Sequence, residues 1–464
     1  GAGLGVVATA GTDRFGTVEN GTDTQFPRAT GRGRATWSSK ATSRRFRHRG
    51  WRDAAGSAGE TGARMELTNG DRVWLAAQRL PLALVFNAHG NGLGIARSLG
   101  IYGVPVAVLS PQRDLATESR YSHWLQSPAY SSTHFIPFLE QIGEALPQPG
   151  VLYPLQDHLV ELCVIHRQSL SHYYHLALPT PRALKALSDK GELLTTAKAV
   201  GVDTPTSRIG GPLPANFPLP AIVKPLAQIP EFKTRYGQKI LRFSHRQELE
   251  ANLEQMESFR PLIQAFIPGD EASLWTYGAA FLKGLPLAEY TGRKLIQYPP
   301  GAGDAAVAES VWEPSVAAVG RRLLRSVNYS GMAQVEFKVD PKGTLRLLEV
   351  NPRAWSWNSL PTASGSNLSL ALYAALLNKS LPSELRTQRE THLRWRYGRL
   401  WLLATLRLLL EGRPSREVLA LGRGQAINAI LTQGDWGPLP LYLSQIVKTF
   451  LGEFALKARN FQPR

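Results

Sequence analysis

Two patterns of apolar residues alternate along this chain from about Leu80 onward. Short unbroken apolar runs read as buried strands: Leu82–Phe86, Val104–Leu109, Val151–Leu155 and Ala221–Lys224. Between them lie segments with helical spacing and small residues at their starts. Strand, glycine-rich turn (Asn87–Gly94), helix to Gly100 and strand make a βαβ unit. Further on, Asp189-Lys190-Gly191-Glu192 opens a helix to about Val200, with Ser188 as the expected cap. Gly201 and Pro205 close it. A helix near Arg246–Glu257 precedes Pro261–Ile267, an apolar strand that runs into Pro268-Gly269 and the acid Glu271. Ser273–Phe281 and Leu285–Tyr290 predict a hairpin around Lys283-Gly284.

Residues 331–353 carry the most chemical information. They predict two strands joined at Asp340-Pro341-Lys342-Gly343. Pairing Asp340 with Gly343 sets Glu336 opposite Leu347. Period-two alternation then gathers Glu336, Glu349 and Asn351 on one face. Val335, Phe337, Val339, Leu348 and Val350 take the other. A bulge would turn Glu336 away, and the plain alternative is a solvated outer face of a surface hairpin. Two carboxylates and an amide suit a hard cation such as Mg²⁺, which proteins hold with one or two carboxylates plus substrate phosphates. Arg353, just beyond, suits an anionic oxygen. Lys224 closes an apolar strand, where a lysine either serves a phosphate as a point charge or extends to solvent.

Charge and composition narrow the partners. The 464 residues carry a formal charge of +17. Residues 1–64 account for +6 and residues 386–464 for +8, leaving +3 for the middle. The excess therefore sits at the ends, and no specific nucleic-acid partner is expected. A single cysteine, Cys163, excludes an internal disulfide and a cysteine-based zinc site. Its apolar surroundings make it a small core residue, and the expected location is the cytoplasm. Residues 1–64 lack sustained apolar periodicity and read as a disordered or non-native tail, with translation expected to start at Met65, the first methionine.

The glycine-rich turn is not G-x-G-x-x-G, and Ser110 stands where a ribose-binding acid would be, so a nicotinamide dinucleotide is not expected. Asp157, at the C-terminal end of a strand, is a substrate-site candidate. The basic and aromatic stretch 392–411 reads as a packed helix, with Leu439–Leu451 as a second helix against it. The alternative is peripheral membrane contact through 392–411, with Trp395 and Trp401 at the interface.

In order, Asp189-Lys190, Ile222-Val223-Lys224-Pro225, Leu262–Gly269 with Glu271, Val335-Glu336-Phe337 and Leu348-Glu349-Val350-Asn351-Pro352-Arg353 resemble the ATP-grasp superfamily, in its carboxylate–amine ligase branch. Tyr121–Trp124, Gln156-Asp157 and Ala363–Leu368 fit the same branch. The resemblance spans about Leu80 to Leu377. It implies a Rossmann-like pre-ATP-grasp domain (65–180), a two-lobed ATP-grasp domain (181–385) and a basic, mainly helical C-terminal extension (386–464). It further implies that Lys190 and Lys224 contact ATP phosphates and that Gln264, Phe266 and Ile267 line the adenine cleft, with backbone groups reading the base. Glu271 would hold the ribose, and Glu336, Glu349 and Asn351 would hold Mg²⁺ or Mn²⁺. Arg293 and Arg353 would stabilise the transferring phosphoryl group. The implied activity is an ADP-forming ligase that joins a small-molecule carboxylate to an amine through an acyl-phosphate. The alternatives are a kinase on the same scaffold and a non-catalytic protein that binds membranes or polyanions. The sequence departs from the family in having one glycine in the flap at 226–237, where Lys233, Arg235 and Lys239 would cover the phosphates instead. It also has Ala265 where an acid is common.

Overall fold

The computed structural model describes residues 66–226, 230–301, 303–410, 412 and 426–460. The expected tail and start at Met65 lie outside them. Three sheets order the chain. The first holds five parallel strands in the order β3-β2-β1-β4-β5: β1 Ala83–Phe86, β2 Val106–Ser110, β3 His123–Gln126, β4 Gly150–Pro154 and β5 Tyr174–His175. Strands β1 and β2 are fully buried, which explains their unbroken apolar runs. Cys163, on the helix Asp157–Ile165, belongs to the core beneath this sheet.

The second sheet is small and antiparallel, in the order β6-β9-β7-β8: β6 Ser207–Ile209, β7 Ala221–Pro225, β8 Leu241–Phe243 and β9 Pro261–Ala265. The third has seven strands in the order β14-β13-β10-β11-β12-β15-β16: β10 Leu274–Leu282, β11 Leu285–Tyr298, β12 Asp304–Ser310, β13 Gly331–Val339, β14 Leu345–Asn351, β15 Arg394–Arg396 and β16 Ala426–Asn428. Lys283 and Gly284 both have positive φ (49° and 74°), the geometry that a two-residue hairpin loop demands.

The helix at Lys190–Ala199 is capped by Asp189, whose carboxylate accepts from the Gly191 and Glu192 N–H groups at 2.9 Å. Ser188 is not the cap, because it ends the preceding helix Pro181–Ser188. The turn at Asn87–Gly94 needs small residues for close approach. A Cβ at Gly92 would lie 1.9 Å from the Asn87 carbonyl oxygen, and one at Gly94 would lie 2.3 Å from Asn358 Oδ1.

The C-terminal region carries the two expected helices, Gly398–Leu410 and Leu439–Asn460. It also supplies β15 and β16, which extend the large sheet beyond β12. Trp395 is thereby 1% exposed, and its Nε1 donates to Ser359 Oγ at 3.0 Å. That burial removes it from an interfacial role. Asp435, 2% exposed, accepts from Arg97 Nε at 2.8 Å, Ser119 Oγ at 2.7 Å and Arg120 N at 2.9 Å. This region is thus tied into the parallel-sheet domain by a buried ion pair. Among the described residues, no helix is long and apolar enough to cross a membrane.

Candidate active site

The hairpin of β13 and β14 builds the centre of the site. Glu336 stands opposite Glu349, and Gln334 opposite Asn351. The expected partner of Glu336, Leu347, instead faces Phe337. Two single-residue changes separate the two registers. The turn pairs Asp340 with Thr344, whose backbone groups bond at 2.9 Å, and Leu348 is an extra residue between the Glu336 and Phe337 pairs. Together they shift the pairing by two, so the face assignment of Glu336, Glu349 and Asn351 survives. Downstream of the bulge the apolar face changes. Leu347 is 2% exposed in the core with Val335, Phe337 and Val350, while Leu348 is only half-buried.

Around this face the side chains form one connected cluster. Gln334 Nε2 donates to Glu336 Oε1 at 2.8 Å. Asn351 Nδ2 donates to Gln334 Oε1 at 3.2 Å and to Glu349 Oε1 at 3.3 Å. Lys294 Nζ lies 2.8 Å from Glu336 Oε1, with both side chains mostly buried (12% and 13% exposed). Burial and the neighbouring Glu349 raise the pKa of Glu336 against the pull of Lys294. Desolvation by the surrounding chain opposes the charge on Glu349, although its side chain is open to solvent, and Lys224, Lys294, the Asn351 amide and Arg353 hold its pKa below the ordinary value.

Two lysines approach from the small sheet and its flanking helix. Lys190 Nζ donates to the carbonyls of Pro225 and Leu226, both at 2.8 Å, which draws it alongside Lys224 at the end of β7. Burial first, then the charge of Lys224, lowers its pKa to about 8, while Glu349 and Asp189 act in the opposite sense. Lys224 is likewise lowered by burial and partly restored by Glu349. Glu349 therefore acts on both lysines, which places the end of the small sheet within electrostatic reach of the hairpin's polar face.

Other expected residues take different positions. Arg293 pairs in the sheet with Trp275, which in turn pairs with Phe337 on the core face. Strand alternation therefore turns Arg293 away from the carboxylates. It binds Glu309 instead, at 2.9 Å and 3.0 Å. Lys294, the next residue, takes the place facing Glu336, and sequence reading missed it. The signal was the basic pair Arg293-Lys294 on a strand, where only one can face the cleft. Glu271 accepts from the backbone N–H groups of Gln297, near the end of β11, and Gly301, in the connection to β12, so each of its oxygens already holds one bond to the large sheet. Gln264, 3% exposed, donates to Ser207 Oγ within the small sheet. The Phe266 N–H is bonded to the Pro220 carbonyl, and its ring lies under Arg242 (3.9 Å) and Lys338 (5.4 Å). Ile267 follows it and is half-buried. Lys233, Arg235 and Lys239 are exposed.

Arg353 reaches the parallel-sheet domain. Its Nε donates to Asp157 Oδ1 at 2.8 Å, and its Nη2 donates to Asn351 Oδ1 at 3.2 Å. Asp157 therefore does lie at this site, as the partner of Arg353.

The donor set fits a small hard cation. Glu336 and Glu349 face each other across one strand pair, and Glu349 raises the pKa of Glu336. The two carboxylates leave most coordination positions for phosphate and water, as Mg²⁺ prefers, while the Asn351 Oδ1 is bonded to Arg353. Lys294 occupies Glu336 as the neutralising charge here.

A parallel-sheet domain, a small antiparallel lobe and a large sheet that together close on such a cleft define the ATP-grasp fold. An N5-carboxyaminoimidazole ribonucleotide synthetase solved with ADP superposes with a TM-score of 0.52 at 12% identity, covering 67% of this chain and 80% of that one. An L-amino acid ligase from Bacillus licheniformis gives 0.51 at 16%, covering 67% and 78%. A carboxyaminoimidazole ribonucleotide synthase from Aspergillus clavatus with ATP gives 0.51 at 13%, covering 68% and 81%. No protein-family model and no curated protein matches the sequence.

Proposed function

We propose that this protein is an ATP- and Mg²⁺-dependent ligase that activates a carboxylate as an acyl-phosphate and joins it to an amine, releasing ADP and phosphate. The observation that supports this reading is the set of charges and hydrogen bonds that links Lys190, Lys224, Asn351 and Arg353 to Glu349, with Glu336 opposite it. Two structural neighbours of the same fold, a synthetase solved with ADP and an amino acid ligase, support it.

The chemistry follows from the groups. A free carboxylate is a poor electrophile because its leaving group would be oxide. Transfer of the γ-phosphoryl group to it creates a phosphate leaving group. Lys190 and Lys224 would hold the nucleotide phosphates, and Arg353 would meet the charge that develops on the transferring group. Glu336, Glu349 and the Asn351 oxygen would hold Mg²⁺, which when bound neutralises phosphate charge. Lys294 would neutralise whatever carboxylate charge remains.

The test supplies ATP, Mg²⁺ and pairs of L-amino acids, and follows ADP. Hydroxylamine added in place of the amine should trap an acyl-hydroxamate. A kinase on this scaffold would release ADP without any hydroxamate, since a phosphate ester does not react that way. Absence of ADP release across the amino acids and other small carboxylates would count against the ligase reading.

A further inference from the structure

The ligase chemistry leaves one proton unassigned, the one that a substrate ammonium must lose before its nitrogen can attack. A histidine–aspartate pair stands where it could be taken up. His89 follows β1 and precedes the helix Gly90–Gly100; Asp114 follows β2. Open parallel sheets receive ligands at these C-terminal strand ends. His89 Nδ1 is bonded to Asp114 Oδ2. The carboxylate is itself fixed, because Asp114 Oδ1 accepts from the Leu115 N–H at 2.7 Å and from Gln445 Nε2 at 2.9 Å. Asp114 is buried, whereas the His89 side chain is 70% exposed. A buried carboxylate thus orients an accessible imidazole, and Nε2 is the nitrogen left for a ligand.

The pair lies on the rim that also carries the candidate site. Two residues beyond His89, Asn91 Nδ2 donates to the Leu155 carbonyl at 3.3 Å. Leu155 stands two residues before Asp157, the partner of Arg353. Strands β1 and β4, which lead to His89 and Asp157, are direct neighbours. From the opposite side the C-terminal region closes in: Ile430 touches the Gly90 position, and the positive charge of Arg399 acts on His89.

We propose that His89 is the general base of the amine-transfer step, with Asp114 as its positioning residue. The assignment rests on the ligase reading. The amine nitrogen attacks the acyl carbon and a C–N bond forms. The C–O bond to phosphate breaks, and its electron pair leaves with the phosphate. Before the attack the substrate ammonium passes one proton to His89 Nε2, which later releases it to solvent; a second N–H proton leaves with the phosphate, while Asp114 stays ionised and keeps the Nδ1 proton in place. Hydrogen bonding to Asp114 raises the pKa of His89 above 6.5, against burial and the Arg399 charge. The working form is neutral, so amide formation rises with pH through that pKa. The groups facing the imidazole are Asp114 from the segment after β2 and Arg399 from the helix Gly398–Leu410. Gln445 bonds to Asp114 from behind, and the charge of Asp114 reaches Tyr397.

The test compares two reactions of the full chain with ATP, Mg²⁺ and pairs of L-amino acids: amide formation, and hydroxamate formation with hydroxylamine, a nucleophile that is largely unprotonated at neutral pH. In His89→Gln, amide formation should fall about 100-fold or more, the usual contribution of a general base, and hydroxamate formation far less. Asp114→Asn should move the pH profile of amide formation toward lower pH. Equal losses in both reactions would make the pair a structural clamp, and no loss in either would remove it from the reaction. A wild-type protein that forms neither product overturns the ligase reading, and the base with it. A histidine side-chain titration by NMR needs no turnover. His89 should titrate above 6.5 and drop in Asp114→Asn, and an unchanged midpoint overturns the positioning role.

Discussion

Arg353 holds Asp157 at 2.8 Å across 196 residues of sequence, joining the end of β14 to the end of β4. The same guanidinium reaches Asn351 Oδ1 at 3.2 Å. The bond thus connects the candidate metal face to the rim where a substrate would enter. The two side chains are 22% and 35% exposed, so the pair is worth about 1 kcal/mol or less to stability. Asp157→Asn should therefore leave the melting temperature nearly unchanged. Arg353→Met should reduce turnover by about 100-fold or more with nucleotide affinity retained. Steady-state kinetics beside a nucleotide titration checks this. Undiminished turnover in Arg353→Met would remove Arg353 from the reaction.

Lys294 pairs with Glu336 at 2.8 Å and neutralises it. Its ammonium competes with any cation for that carboxylate. In Lys294→Met, Mn²⁺ should bind more tightly in the absence of nucleotide, because no charge must be displaced from Glu336. Turnover should nevertheless fall. Mn²⁺ binding followed by electron paramagnetic resonance decides the first point, and unchanged or weaker binding would mean that Glu336 is not a ligand.

Lys190 gives a pH signature. Its pKa in the free protein is lowered to about 8, by burial first and Lys224 second. A bound triphosphate restores the charged form, so binding above that pH must take up a proton. Nucleotide affinity should be level on the acid side of about pH 8 and weaken as pH rises beyond it. Lys190→Arg should abolish the dependence. Calorimetric titration on both sides of that pH, in buffers of different ionisation heat, measures affinity and proton uptake together. An affinity that does not fall on the alkaline side contradicts the assignment of Lys190 to phosphate.

Asp435 fixes the C-terminal region to the parallel-sheet domain through Arg97, Ser119 and Arg120. Asp435→Ala strands the buried Arg97 guanidinium and should cost about 3–5 kcal/mol. Thermal or urea unfolding reads the loss directly. A melting temperature equal to wild type would mean that the region is not integral to the fold.

These elements also show what the chain disclosed in advance. The parallel strands β1, β2 and β4 were legible because burial on both faces writes unbroken apolar runs, whereas β3 and β5 are short, partly exposed and carry no such run. The face shared by Glu336, Glu349 and Asn351 was legible because period-two alternation survived two register changes that compensate. The bulge at Leu348 was not, since nothing local distinguishes Leu347 from Leu348 as the core residue. Arg293 and Lys294 are adjacent cations on one strand, and the choice between them depends on the strand's phase relative to β10, a non-local property. Glu271 kept its place after β9, but its partners lie 26 and 30 residues away, near the end of β11 and in its connection to β12. The strands β15 and β16 are three residues each, too short for any periodic signal. His89 was hidden inside a glycine-rich turn whose interest seemed to lie in its glycines.

The most direct test of the central claim measures ADP release by wild type and by Glu349→Ala, with ATP, Mg²⁺ and pairs of L-amino acids, with and without hydroxylamine. The account predicts release by wild type, hydroxamate when hydroxylamine is present, and a Glu349→Ala protein that melts as a folded molecule yet releases ADP about 1,000-fold more slowly. ADP release by Glu349→Ala at the wild-type rate, or ADP from wild type with no hydroxamate, would contradict it.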